Sequence, residues 1–378
     1  MLKYLILALF LPGVLMAQTT TLETITHDGL ERDYVLYLPP SYEEGSEMPL
    51  VFNFHGLGSN ANEQFAYTLL HTVAAEEGFI LVYPNGTENS VGVPFWNAGF
   101  GVGETVDDVG FTIAILDELV AELSVDESRV YSTGMSNGGY FSYKLACEHS
   151  NRFAAVASVT GSMVVSEFEN CSPERPVPIM QFHGTEDPTV NFDGDEFSVS
   201  IEDVVDLWID INDCDPMPLF TEVPDIDNED QSTAEHFVYV NSETLNAVEF
   251  YKINGGGHTW PGADFIIGVT NQDIDASTLI WEFFSKHSIE ESFPSGIEDE
   301  SLINRVYPNP IGNSFRIELE SETEELNVYN AQGLKVEVLA IEGGQSTNID
   351  SSTWLKGIYF VSQLNSRGEL IRVDRLLK

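Results

Sequence analysis

The sequence predicts an α/β fold, a doubly wound and mainly parallel sheet, followed by a small all-β sandwich. Three observations predict it. Short continuous apolar runs alternate with helix-periodic segments between residues 22 and 287. Beyond residue 301 the pattern changes to short alternating strands and turns with no convincing helix. The length, 378 residues, accommodates one large domain and a smaller module.

Taken in order, residues 22–38 place apolar side chains at alternate positions (Tyr34, Leu36, Leu38) and predict an opening β-ribbon. Pro49–Phe54 and Phe79–Tyr83 are buried-strand runs, the first ending at His55-Gly56-Leu57-Gly58 and the second at Pro84-Asn85-Gly86. Val109–Leu123 has helical spacing, with Asp107 or Asp108 as N-cap. Val130–Thr133 predicts a strand and Tyr140–Cys147 a helix. Ala154–Val159, Val177–Phe182 and Ala247–Ile253 complete the strands, and Thr278–His287 is an apolar-striped closing helix. Trp208 keeps helical spacing with Val204, Val205 and Ile209 and is expected in the core. Residues 288–301, rich in Glu, Pro and Gly, read as an exposed linker. In residues 302–378, Phe315–Leu319, Leu326–Tyr329, Lys335–Leu339 and Ile358–Gln363 alternate, separated by Gly-bearing turns.

Residues 1–17 have one early lysine, Lys3, an uncharged run from Tyr4 to Met16, and small Ala17 before Gln18. This is the pattern of a signal peptide cleaved after Ala17, and the run is too short for a membrane span. The expected organisation is therefore a signal peptide (1–17), the α/β domain (18–287), the linker (288–301) and the β-sandwich (302–378). The chain has 16 Lys plus Arg against 61 Asp plus Glu, a net charge of −45. So acidic a surface argues against nucleic acid or anionic lipid as a partner and fits a secreted protein in screening, salty water. The three cysteines allow at most one bridge; Cys147–Cys171 is the preferred pair, with Cys214 free.

The most informative segment is Gly134-Met135-Ser136-Asn137-Gly138, a G-x-S-x-G pentapeptide between a β-rich run and a helix-compatible one. A sharp strand-to-helix turn holds the serine in a strained conformation, and the glycines let that turn pack closely on its neighbours. Ser136 then reads as a nucleophile, with the Asn137 N–H at a helix N-terminus facing a developing oxyanion. A serine hydroxyl needs an imidazole base and a carboxylate to orient it. In the α/β-hydrolase arrangement these follow the serine, acid first and histidine second, each after a strand. Asp187, just past Val177–Phe182, and His258, behind Gly255-Gly256-Gly257, occupy those places. Asp187 is chosen by position, with Glu186 its nearest rival. The Leu57 N–H, after the first buried strand, is the second expected oxyanion donor, a group of a kind worth about 3 kcal/mol in the transition state.

His55 and His183 read as loop-holding hydrogen-bonders. The aromatic loop Phe95–Phe100 leaves two readings open for Trp96, a wall for an acyl group or sugar and packing beneath the catalytic loops; Trp260 has the same two. Asp225–Asp230 resembles a cation loop but lacks the glycine and terminal glutamate of an EF-hand, so no metal is expected. No phosphate loop or dinucleotide fingerprint occurs, and no cofactor is expected.

Several segments in register then resemble one family: Phe95-Trp96-Asn97-Ala98-Gly99, Val106–Phe111, Arg129–Gly139, His183–Asp187 and Gly255–Gly262. They are similar to the polyhydroxybutyrate depolymerase-like esterases, grouped with feruloyl and acetylxylan esterases, over roughly residues 22–287. The resemblance implies the α/β-hydrolase fold and a triad of Ser136, Asp187 and His258. It also implies a cysteine near Asn241 paired with the counterpart of Cys214; here that position has none. In the tail, Val306–Pro310, Leu326–Gly333 and Gly357–Val361 resemble the C-terminal sorting domain of the type IX secretion system. That implies handling by the secretion machinery through residues 302–378 and an extracellular or cell-surface destination. A carbohydrate-binding module is the rival for the tail.

The expected function is a secreted serine esterase acting on feruloyl or acetyl esters of polysaccharides, with an ester-bearing polymer or oligomer as partner. A polyester depolymerase is the alternative within the class, and a non-catalytic extracellular polymer-binding protein the alternative outside it.

Overall fold

A computed structural model describes residues 19–101, 105–241, 244 and 246–289 and, in the tail, 306–307, 314–319, 323–330, 335–341, 346–352, 354, 358–365 and 370–377. The expected signal peptide and nearly all of the expected linker lie outside the described residues. The chain forms two compact units, Met1–Glu291 and Ser292–Lys378.

The first unit opens with the ribbon β1 (Thr19–His27) and β2 (Leu30–Leu38), then β3 (Met48–Phe54), α1 (Ala61–Thr68), α2 (Leu70–Glu77), β4 (Ile80–Pro84) and the short pair β5 (Thr87–Glu88) and β6 (Pro94–Phe95). There follow α3 (Asp108–Glu122), β7 (Val125–Met135), α4 (Asn137–Glu148), β8 (Ala155–Val159), α5 (Val165–Asn170), β9 (Ile179–Gly184) and α6 (Ile201–Ile211). The unit closes with β10 (Leu219–Glu222), β11 (Thr233–Val240), β12 (Ala247–Asn254) and α7 (Ala276–Phe284). Ten of the strands form one sheet in the order β1-β2-β4-β3-β7-β8-β9-β12-β11-β10. From β4 to β12 neighbours run parallel, and the flanking pairs are antiparallel.

Central strands β3, β4, β8 and β9 are buried at every position, which is why they read as continuous apolar runs. Helices cover both faces. On one, α3, α4 and α6 bring Phe111, Ile115, Phe141, Leu145, Val204 and Trp208 against the sheet. On the other, α2 and α7 bring Leu70, Ala74, Ile280 and Phe283. Asp107 is the cap of α3, accepting from the Gly110 N–H at 2.8 Å, while Asp108 is buried in an ion pair with Arg32. Cys147 and Cys171 are joined, and Cys214 is free and buried.

Sequence periodicity misses α1, α2, α5 and the edge hairpin β10–β11, whose connecting loop is the acidic run Asp225–Asp230. The first two helices are only eight residues each, too short to show a sustained stripe. Every residue of β10 is exposed, so an alternating pattern has no buried face to reveal it.

The second unit contains a three-stranded sheet of β13 (Val306–Tyr307), β14 (Ser314–Glu318) and β17 (Ser346–Asp350). A four-stranded sheet joins β15 (Glu325–Asn330), β16 (Lys335–Ala340), β18 (Ile358–Leu364) and β19 (Leu370–Leu377). Phe315, Ile317 and Ile349 of one sheet share a core with Leu326, Val328 and Val361 of the other. Trp354 stacks into this core beside Phe315 and Tyr359 rather than forming an open sugar-binding strip.

Candidate active site

Leu57, Ser136, Asp187 and His258 follow the carboxyl ends of the parallel strands β3, β7, β9 and β12, the edge where ligands of open α/β sheets bind. The turn from β7 to α4 holds Ser136 at φ 54° and ψ −122°, a backbone region that side chains other than glycine rarely adopt. The flanking glycines explain how the turn is accommodated. A Cβ on Gly138 would sit 2.2 Å from the Phe54 carbonyl oxygen, and one on Gly134 2.6 Å from the carbonyl carbon of Gly138. The Ser136 N–H is bound to the Val159 carbonyl at 2.8 Å. The Asn137 N–H, at the first position of α4, has no acceptor within its helix.

Beyond β9, Asp187 is fully buried in its side chain, accepts three hydrogen bonds and has a fourth polar neighbour. Its Oδ1 takes the N–H groups of Thr189 at 2.8 Å and Val190 at 2.9 Å. Its Oδ2 lies 2.7 Å from His258 Nδ1 and 3.5 Å from His183 Nε2. Burial by itself raises a carboxyl pKa, but the His258 hydrogen bond and charge, the Val190 N–H and His183 outweigh it and hold Asp187 below the usual range. His258 stands on the loop after β12. That loop closes against β9 through glycine: a Cβ on Gly184 would lie 2.2 Å from the Gly256 carbonyl oxygen. Glu186, the rival acid, instead donates its N–H to the Gly256 carbonyl, and no bond from its side chain to His258 occurs among the described residues.

Ser136 and His258 both line one open cleft of about 610 Å³. Gly56, Leu57, Ala66, Tyr67, Met135, Phe265 and Ile267 form its largely apolar wall, with Ser59, Glu63 and Gln64 as polar members. Gly56 packs on the serine: its absent Cβ would be 3.4 Å from Ser136 Cβ. Leu57 is 61% exposed and faces the same cleft.

Of the two readings open for Trp96 and Trp260, substrate wall and packing, the first is corrected and the second fits. They are 0% and 1% exposed, and neither lines the cleft. Trp96 Nε1 donates to the His55 carbonyl at 2.9 Å, and its backbone pairs with the Asn137 amide. Trp260 Nε1 donates to Ser277 Oγ at 3.1 Å, and its N–H to Tyr67 at 3.2 Å. Both indoles brace the loops beside the cleft, because each N–H finds its acceptor inside the protein. His55 does hold its loop. Its Nε2 accepts from the Gly86 N–H, so Nδ1 carries the proton donated to the Gly56 carbonyl at 2.8 Å.

The wall residues Tyr67, Met135, Phe265 and Ile267 were not singled out from the sequence. The available signal was Phe265-Ile266-Ile267, three apolar residues separated by two positions from the Gly255–Gly262 loop; the structure leaves all three exposed. Among the described residues, one group of possible metal ligands exists, His27, Asp28 and Asp107, away from this cleft.

Comparison with known proteins accords with this architecture. Residues 32–196 match the family model described as Esterase PHB depolymerase, and residues 305–373 match the Secretion system C-terminal sorting domain. The bifunctional acetylxylan esterase/xylanase XynS20E of Neocallimastix patriciarum is 28% identical, over 69% of this chain and 34% of that protein. Feruloyl esterase B of Piromyces equi is 26% identical, over 60% of this chain and 42% of that protein. The chain thus spans less than half of each of these two relatives. The solved acetyl xylan esterase from Aspergillus awamori superposes with a TM-score of 0.51 at 15% identity, over 70% of this chain and 99% of that one. That likeness shows the α/β-hydrolase fold. The matched α/β region is an esterase region, and the sorting domain marks the protein as secreted or cell-surface. No helix among the described residues is long and apolar enough to cross a membrane.

Proposed function

Starting from an esterase region of the PHB depolymerase kind joined to a secretion sorting domain, we propose that the chain is a secreted serine carboxylic-ester hydrolase working through Ser136, His258 and Asp187. One observation carries this reading: a strained serine and a histidine bound to a buried carboxylate at 2.7 Å line the same cleft. Ser136 Oγ attacks the ester carbonyl carbon while His258 takes its proton, and Asp187 holds the imidazole and stabilises the imidazolium. The tetrahedral oxyanion is met by the N–H groups of Asn137 and Leu57. Collapse breaks the bond to the alcohol, which leaves with the proton from His258. Water, deprotonated by the same histidine, then attacks the acyl-enzyme and releases the acid and free Ser136.

The apolar wall beside Ser136 favours an acyl group with a hydrophobic or aromatic body over acetyl alone, and among the described residues no Lys or Arg lines the cleft. We assign it feruloyl-type esters of polysaccharides. A second reading, a polyester substrate, draws on a separate feature: Leu57, Phe265, Ile266 and Ile267 are all exposed and could lie on an apolar polymer chain. Transit through the type IX secretion machinery follows from the tail. The test is ferulic acid release from methyl ferulate by the full chain, with Ser136→Ala as blank. Ser136-dependent release is expected. Its absence, with turnover of polyester film instead, would replace the feruloyl reading, and absence of all Ser136-dependent ester turnover would leave a binding protein.

A further inference from the structure

His183 is a histidine with no exposed side-chain surface, standing at the end of β9 four residues before Asp187. Its protonation can be read from its neighbours. Gln181 Nε2 donates to the Gly161 carbonyl at 2.9 Å, and a carbonyl can only accept, so that atom is the amide nitrogen. Gln181 Oε1 correspondingly accepts from the Tyr143 hydroxyl at 2.6 Å. The same nitrogen, a donor only, also reaches the Phe182 carbonyl at 3.2 Å and lies 3.1 Å from His183 Nδ1, which can only accept from it. The ring proton is on Nε2. It is donated to the Val190 carbonyl at 2.9 Å and also faces Asp187 Oδ2 at 3.5 Å, the oxygen that holds His258.

We infer that His183 is a positioning residue for the proposed triad: its neutral Nε2–H is bonded to the Val190 carbonyl, whose own N–H holds Asp187 Oδ1, and its dipole lies 3.5 Å from Asp187 Oδ2, so it orients the carboxylate and tempers its basicity toward His258. The inference rests on the Ser136–His258–Asp187 reading. Three observations support it beyond loop packing. The tautomer is set on both sides, by the Val190 carbonyl at Nε2 and the Gln181 amide at Nδ1, so the ring cannot turn its proton away without breaking a bond. The Val190 residue that accepts from His183 also donates its own N–H to Asp187 Oδ1, so one short segment registers ring and carboxylate together. And burial holds the imidazole pKa down to about 4, so the ring stays an uncharged dipole beside the anion. Asp187 is the charged group that faces it, with His258 beyond and the Phe192 ring against its other side.

The test compares two polar replacements in the full chain. His183→Gln sets an amide donor where Nε2 stands; His183→Asn reaches only the Nδ1 position, leaving the Val190 carbonyl without its donor and Asp187 without the N–H dipole beside it. A less-stabilised carboxylate pulls harder on the proton it shares with His258. In His183→Asn the acid limb of the kcat profile should therefore move up by about 0.5–1 pH unit, and kcat should fall about tenfold with KM little changed. His183→Gln should restore most of both. The downfield proton resonance of the His258–Asp187 hydrogen bond should move in His183→Asn and return in His183→Gln; this readout needs no substrate. Equal acid limbs and equal resonances in the two folded variants would overturn the positioning role. Loss of Ser136-dependent turnover in the unsubstituted protein would instead count against the esterase reading, and the resonance would still decide the role of His183.

Discussion

The side-chain amide of Asn137 and the backbone of Trp96 form a reciprocal pair: the Trp96 N–H donates to Oδ1 at 2.6 Å, and Nδ2 donates to the Trp96 carbonyl at 3.0 Å. Trp96 then reaches the His55 carbonyl through its indole N–H. The residue after the nucleophile and the loop that carries Leu57 are thereby tied to one buried strut. The two proposed oxyanion donors owe their mutual position to a residue that substrate never meets. Asn137→Ala keeps its own backbone N–H but leaves the Trp96 N–H buried without its acceptor, while the Trp96 carbonyl keeps only the Ala98 N–H at 2.9 Å. Stability should fall by about 1–3 kcal/mol in denaturant titrations, and kcat should fall more than KM rises.

Ser136 stores strain at φ 54°. Ser136→Ala should reduce ester turnover by about four orders of magnitude or more while leaving the melting curve close to the parent's. Ser136→Gly removes the Cβ that makes the conformation unfavourable and should be more stable than Ser136→Ala by about 1 kcal/mol. Retained turnover in the alanine variant would refute Ser136 as nucleophile. Equal stability of the two variants would mean that the turn is not strained.

Phe265 is 70% exposed yet contributes to the cleft wall with Ile267. Replacing Phe265 with Ala removes apolar surface that only a bulky acyl group reaches. The kcat/KM for methyl ferulate should drop about tenfold, with little change for a short acetyl ester. An equal drop on both esters would place Phe265 in loop support instead of acyl selection.

Acid stability has a defined sign. His183 in the folded chain has its pKa lowered to about 4 from 6.5, and His287 likewise to about 4, both chiefly by burial. Between those values the unfolded chain binds protons that the folded chain does not, so stability falls as pH drops from about 6.5 to 4. The fully buried His183 alone contributes on the order of 3 kcal/mol to that decline. Asp187, held below its ordinary range, adds a stabilisation present above its unfolded pKa and lost as pH falls through its folded one. Urea midpoints measured from pH 7 to 4 should decline steadily, and a flat profile would contradict the burial of these histidines in solution.

The chain divides into units at Glu291 and Ser292. A chain ended at Glu291 should retain ester turnover within about twofold, since every cleft residue lies in the first unit. In a host with type IX secretion it should fail to reach the medium or cell surface. Loss of turnover with the α/β unit still folded would give the tail a role beyond sorting.

Much of this molecule is legible without coordinates, and the reasons are local. The parallel strands are buried on both faces, so β3, β4, β8 and β9 announce themselves as unbroken apolar runs. Ser136 announces itself because a strained turn needs Gly134 and Gly138 at fixed offsets. Asp187 and His258 stand where strands β9 and β12 end, and order along the chain is enough to single them out. The tertiary structure alone decides which face a side chain meets. Trp96 and Trp260 are conspicuous in sequence but buried, since each indole N–H finds a protein acceptor. Phe265, Ile267 and Tyr67, from segments up to 200 residues apart, form the cleft wall together. His183 reads in sequence only as a loop-holding hydrogen-bonder; that its proton goes to the Val190 carbonyl beside Asp187 depends on contacts from Gln181 and Val190. Motif spacing reports constraints on neighbouring backbone, whereas burial and hydrogen-bond direction depend on contacts between residues distant in sequence, which come together only when the sheet closes.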